Sequence, residues 1–174
     1  RAIQGTYAPG SIFKMVTATA ALETKVVSLD DTFTCQGATV VSDRRIRCHK
    51  TTGHGTQDFT HTVYNSCNPA FVEWGRRVGV DNMYLYMGKL GLLSKTGIDL
   101  SGEAGTIIHK KENVGAVELA TMSFGQSFQI TPVQMLRATS AIINGGKLVT
   151  PHFGMYTSTS DGSVVNEFAY SSTE

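Results

Sequence analysis

Ser11 and Lys14 stand three positions apart in the run Tyr7-Ala8-Pro9-Gly10-Ser11-Ile12-Phe13-Lys14. An alcohol is a weak nucleophile until a base takes its proton, and a lysine stripped of water among apolar side chains can be that base. Pro9 and Gly10 interrupt the backbone, and Ser11 to Thr24 predicts a strongly apolar helix. The hydroxyl then sits at a helix N-terminus, where free N–H groups and the positive dipole end favour developing negative charge. One turn on, Lys14 falls on the same face. The bare spacing is common as a cap followed by a solvated charge, so the surroundings decide. Phe13, Met15, Val16, Ala18, Ala20 and Leu22 leave only Lys14 and several threonines as polar groups. A helix apolar all round is packed on all sides, and a lysine there needs a partner or a task.

A second polar pair follows at Ser66-Cys67-Asn68. Alone, Ser66 and Asn68 read as a polar helix start before Pro69. In order, however, Ser-x-x-Lys at Ser11 and Lys14 followed by Ser-x-Asn at Ser66 and Asn68 resembles the transpeptidase region of class B penicillin-binding proteins. The resemblance extends through Gly53-His54-Gly55, Thr96-Gly97-Ile98-Asp99-Leu100, Ser123-Phe124-Gly125-Gln126, Thr131-Pro132-Val133-Gln134 and Asn144-Gly145-Gly146, thinning after Pro151. Among these proteins it is most similar to the sporulation and cell-division types of Gram-positive bacteria.

The resemblance implies an α+β fold of the serine β-lactamase/penicillin-binding-protein kind, of which residues 1–174 would be a partial transpeptidase domain, mainly its helical part. It implies acyl transfer on peptidoglycan stem peptides, with Ser11 as nucleophile, Lys14 as its base, Ser66 as proton relay and Asn68 as a hydrogen-bond partner of substrate and lysine. β-Lactams would acylate the same serine, and no cofactor is needed for that chemistry. A membrane glycosyltransferase is the implied partner, and the extracytoplasmic face of a bacterial membrane the implied location. Two other readings share the motifs: a β-lactam-hydrolysing or β-lactam-sensing relative, and a non-catalytic wall-synthesis scaffold.

The family's third motif, Lys-Thr-Gly on an edge strand, has its letters at Lys95-Thr96-Gly97. The following Ile98-Asp99-Leu100-Ser101-Gly102-Glu103 resembles a loop in which the lysine is incidental, and nothing before it alternates like a strand. The expectation is that this copy is a decoy, and that the true motif and the strands flanking the central helix lie outside these residues.

With 174 residues, 41% hydrophobic, the chain can bury one domain-sized core. Fifteen basic against fourteen acidic residues give no broad field for nucleic acid. No apolar run approaches the roughly 20 residues of a membrane span. Thr32-Phe33-Thr34-Cys35 and Ile46-Arg47-Cys48 predict short strands around a turn at Ser42-Asp43-Arg44-Arg45. Helices are expected from Thr60 to Asn65, from Pro69 to Val78, over Asn82 to Leu92 and near Glu118 to Phe124. Another is capped by Thr131 with Gln134 in a capping box, and ends at Asn144-Gly145-Gly146. Strands are expected at Leu148-Val149, Phe153 to Tyr156 and Val164-Val165, the last two joined across Ser160-Asp161-Gly162.

Cys35 and Cys48 flank the hairpin, so their side chains can approach. An oxidising compartment would permit a disulfide between them. His49, His54, Asp58 and His61 crowd the same stretch, and two thiolates with an imidazole and one further ligand suit tetrahedral zinc. The candidate ligands are Cys35, Cys48 and His54, with Asp58, His49 or His61 as the fourth; a disulfide and unpaired thiols remain alternatives. His109, His152 and Trp74 carry no pattern and read as packing or surface. Gly125 and Gln126 read either as a turn or, by the resemblance, as part of the site wall.

Overall fold

The computed structural model describes residues 1–169 and 172–173. A 3₁₀ turn, Gly10–Phe13, runs directly into α1 (Lys14–Glu23). Four short strands follow: β1 (Thr32–Cys35), β2 (Ala38–Val41), β3 (Arg44–Arg47) and β4 (Gly55–Asp58). Then come α2 (Phe59–Tyr64), α3 (Asn68–Lys89), α4 (Ala116–Met122) and α5 (Pro132–Ile143). β5 (Leu148–Val149), β6 (Tyr156–Ser158), β7 (Val164–Glu167) and β8 (Ser172–Thr173) complete the order. The strands form four antiparallel pairs, β1–β4, β2–β3, β5–β8 and β6–β7, so the described part is an α+β fold dominated by helices.

The core lies where α1 and α4 pack on α3. Phe13, Val16, Phe71, Trp74, Met83 and Met122 are fully buried there. Phe13 meets Phe128 edge-on, with ring centroids 4.8 Å apart, which fixes the start of α1. Trp74 belongs to this packing, and its indole N–H donates to Thr62 Oγ1 at 3.0 Å. α3 breaks at Gly79, whose φ of 76° is non-helical. The break separates the two helical stretches expected on either side of residues 79–81.

The capping box at the start of α5 is present, with Thr131 N–H donating to Gln134 Oε1 at 2.8 Å and Gln134 N–H to Thr131 Oγ1 at 3.3 Å. The turn between Thr159 and Ser163 joins β6 and β7, as the Ser-Asp-Gly run predicts.

Two expectations are corrected. The strand containing Ile46 pairs with β2, not with β1; Thr39 faces Ile46, while β1 pairs with β4. A two-residue loop with Ser42 at φ 54° closes β2 on β3, a far shorter closure than one reaching back to Thr32. The first helix is also not covered all round: Ile12 and Leu22 are 45% and 38% exposed, so one side of it lies open. No helix among the described residues is long and apolar enough to cross a membrane.

Candidate active site

Ser11 lies in the 3₁₀ turn and is exposed, whereas Lys14 opens α1 and is only 3% exposed. The turn is held from behind: Gly10 N–H donates to the Gly125 carbonyl at 2.8 Å. Gly125 has φ 81°, and a Cβ on it would lie 2.1 Å from the Gly10 oxygen, so only glycine lets these backbones meet. As for the two readings left open for this stretch, Gly125 lies in a turn that backs directly onto Gly10, next to Ser11.

The second motif arrives from the reversal between α2 and α3. Asp58 caps α2 by accepting from His61 N–H at 2.7 Å, and Cys67 N–H donates to Thr62 O at 3.1 Å as the helix ends. Ser66 adopts φ 48°, a left-handed conformation rare for serine, and its carbonyl turns toward Lys14.

The two motifs meet at Lys14 Nζ. It lies 2.6 Å from Ser66 O, 2.7 Å from Asn68 Oδ1, 2.8 Å from Ser66 Oγ and 3.2 Å from Ser11 Oγ. It also lies 5.4 Å from the centroid of the Phe71 ring. Asn68 Nδ2 donates to the Arg47 carbonyl at 3.2 Å, which fixes the amide with its oxygen toward the lysine. Burial pulls Lys14 down from the usual lysine value to about 8, and the nearby Cys67 and Cys48 act weakly in the opposite direction. The low value rests on desolvation.

This geometry assigns the lone pair. The Ser66 carbonyl and Asn68 Oδ1 can only accept, so a neutral Lys14 gives them its two N–H groups. Its lone pair is left to a hydroxyl that can donate, Ser11 or Ser66. The four residues singled out by motif are thus brought into one hydrogen-bonded cluster around an amine able to accept a proton near neutrality.

Lys95-Thr96-Gly97 does not join them. It lies outside any strand, and the Glu103 carboxylate accepts from both Thr96 N–H and Thr96 Oγ1 at 2.7 Å. Those letters serve a loop clasp, as expected of a decoy.

Behind the site, Cys35, Cys48, His54 and Cys67 place one ligand atom each, all within 4.8 Å of one another. Cys48 Sγ is 3.5 Å from His54 Nδ1. A tetrahedral zinc with sulfur at about 2.3 Å and nitrogen at about 2.0 Å needs donors roughly 3–4 Å apart, so a small contraction would seat the ion. His54 is held below the usual imidazole value by burial first, then by His49 and Lys50, favouring the neutral form that ligates metals. Burial pushes the Cys67 thiol up to about 12, so without a cation it stays protonated.

The expected fourth ligands are corrected. Asp58 and His61 bind each other at 2.8 Å on the exposed side, and neither they nor His49 belong to the group of donor atoms that lie within 4.8 Å of one another. The fourth atom of the group is Cys67 Sγ, from a residue that sits inside the Ser-x-Asn run and so carries no separate signal in the sequence. Ser66 and Asn68 face the lysine, and the residue between them, fully buried, turns to the opposite side. A disulfide between Cys35 and Cys48 would leave Cys67 and His54 without that role; all three cysteines are unbridged.

Residues 1–172 match the penicillin binding protein transpeptidase domain family. The chain is 47% identical over 151 residues to stage V sporulation protein D of Bacillus subtilis, covering 86% of this chain and 23% of that protein. It is 32% identical over 168 residues to the peptidoglycan D,D-transpeptidase MrdA of Escherichia coli K12, covering 90% of this chain and 26% of that one. Among solved structures, penicillin binding protein 3 of Mycobacterium tuberculosis complexed with ampicillin superposes with a TM-score of 0.86 at 26% identity. That match covers 98% of this chain and 38% of that one. A peptidoglycan synthetase of Bifidobacterium adolescentis gives 0.87 at 25% identity, covering 99% and 32%. The chain spans about a quarter of the length of the curated relatives it matches. Family match, identity and fold agree with the motif order and with the Lys14 cluster: the chain belongs to the penicillin-binding protein transpeptidase family.

Proposed function

We propose that these residues carry the nucleophile, base and proton relay of a serine acyl-transfer site that cross-links peptidoglycan stem peptides and is acylated by β-lactams. The observation that carries this reading is the position of Lys14 Nζ, buried and within hydrogen-bond reach of Ser11, Ser66 and Asn68 at once. Neutral Lys14 takes the Ser11 proton as Oγ attacks the carbonyl of a D-Ala-D-Ala terminus. The Ser11 N–H, at the opening of a helical run, stabilises the oxyanion. The tetrahedral intermediate collapses as Ser66 Oγ passes a proton to the leaving amine, drawing in turn on protonated Lys14 2.8 Å away. D-Alanine departs, and the amine of a second stem peptide attacks the ester, losing its proton through the same relay. Asn68 holds Lys14 in place and offers its side-chain amide to the substrate. A third motif on a strand outside these residues would complete the oxyanion hole.

We further propose that Cys35, Cys48, His54 and Cys67 hold a structural zinc ion. The ion would fix the thiolates and so the turn on which Ser66 and Asn68 ride; it supplies no chemistry to acyl transfer. The whole protein would act at the outer face of a bacterial cell membrane, alongside a glycosyltransferase that makes the glycan, in sporulation or division.

Incubation of the full-length protein with fluorescent penicillin tests the acyl-transfer reading. Labelling that Ser11→Ala abolishes is expected, with little or none on the 174-residue piece alone. Persistent labelling of Ser11→Ala would overturn the assignment.

A further inference from the structure

The basic residues near the site are unevenly placed. Four of the fifteen Lys and Arg side chains, Arg44, Arg45, Arg47 and Lys50, fall within residues 38–50, with Asp43 the single acid among them. The remaining residues therefore carry a small negative excess, and the local positive field belongs to the β2–β3 hairpin. Ile46 and Cys48 point into the core, so Arg45 and Arg47, two apart on the same strand, share the outer face. Neither guanidinium makes an ion pair or a side-chain hydrogen bond among the described residues. Arg44, on the other face, lies 3.7 Å from Asp43.

An arginine pair on an exposed strand is usually a solvated face. Here its backbone is part of the site. The Arg47 carbonyl accepts from Asn68 Nδ2, and Asn68 Oδ1 accepts from Lys14, so two hydrogen bonds separate Arg47 from the base. The strand is also fixed at both ends, by the two-residue loop at Ser42-Asp43 and by Cys48 in the thiol cluster. Exposed, unpaired guanidiniums on the strand whose backbone holds Asn68 suit a planar anion, which their donor forks can hold with two parallel hydrogen bonds.

We propose that Arg45 and Arg47 form a carboxylate-binding subsite, taking a free carboxylate that a stem peptide carries away from its reacting amide. The proposal rests on the transpeptidase reading and adds a substrate preference to it. The carboxylate belongs either to the acyl donor or to the acyl acceptor, and the two are separable.

The test uses the full-length enzyme and two stem peptides alike except that one side-chain carboxylate is free in the first and amidated in the second. In the donor arm D-alanine release is measured; in the acceptor arm, cross-linked product formed with one fixed donor. The wild type should favour the free carboxylate by about tenfold in kcat/KM in one arm, which names the source, and high salt should shrink the ratio. Arg45→Gln/Arg47→Gln should bring the ratio below about twofold, Arg45→Lys/Arg47→Lys should retain part of it, and Arg44→Gln should keep it. The amidated peptide is the reference within each variant, so a general loss of activity leaves the ratio readable. Equal or reversed rates for the two peptides in both arms of the wild type, or an unchanged ratio in the double glutamine variant, would overturn the subsite. If the wild type takes a penicillin adduct at Ser11 and shows no carboxylate preference, only the subsite falls. If Ser11 takes no adduct, the underlying reading falls first.

Discussion

Lys14 shows how one buried amine can join two motifs distant in sequence. Three of its neighbours lie 2.6–2.8 Å away, and the Ser11 hydroxyl is the longest contact at 3.2 Å, the one most easily traded for a lone-pair interaction. Its lowered value sets the pH dependence. The group is protonated and useless as a base well below pH 8, and its neutral fraction grows as pH rises through about 8. Acylation of Ser11 in the full-length protein should therefore climb between pH 6 and about pH 9 and level off above, as read from stopped-flow rates with a chromogenic β-lactam. Lys14→Met should reduce the rate at pH 8 by at least about 100-fold, the usual scale for loss of a general base. A rate independent of pH over that range would remove Lys14 from the role.

The elements that carry this cluster differ in how openly the sequence declares them. α5 was legible to the residue, because Thr131, Pro132 and Gln134 combine a capping box with proline at the start. α3 was legible as two stretches, since Gly79 breaks it. β2 was not, because Ala38-Thr39-Val40-Val41 is short and its partner is decided by loop closure and by the core behind Ile46 rather than by alternation. The contact between Gly125 and Gly10 was hidden for a related reason: a close approach of two backbones more than a hundred residues apart leaves no local pattern. Gly125→Ala should force that contact apart and strain φ as well, costing about 1–3 kcal/mol in chemical denaturation. The penicillin acylation rate of Gly125→Ala should fall further than its stability alone explains, because the displaced backbone carries Ser11. A variant that unfolds earlier yet acylates normally when folded would place Gly125 in packing alone.

At the scale of the whole molecule, the four motif residues were readable from order and type, while the thiol cluster was readable only in part. Cys35, Cys48 and His54 lie near each other in sequence, but Cys67 reaches them only because α2 reverses into α3. The same residue links the two halves of the site: its neighbours bind Lys14 and its own side chain meets the other thiols. Full-length protein purified without chelator should contain close to one zinc per chain. Chelation should lower its melting temperature by several degrees, and Cys67→Ser should reproduce the shift. Metal-free protein whose melting point is indifferent to chelator would remove the ion from the account.

Acyl transfer here turns on one oxygen, Ser11 Oγ, whose reactivity peptide mapping reads directly. The full-length protein is treated with penicillin, digested, and sequenced by tandem mass spectrometry. The adduct mass should fall on the peptide spanning Ser11, at the Ser11 side chain and in near-stoichiometric yield. An adduct on Ser66, on another residue, or on none in folded protein would contradict it.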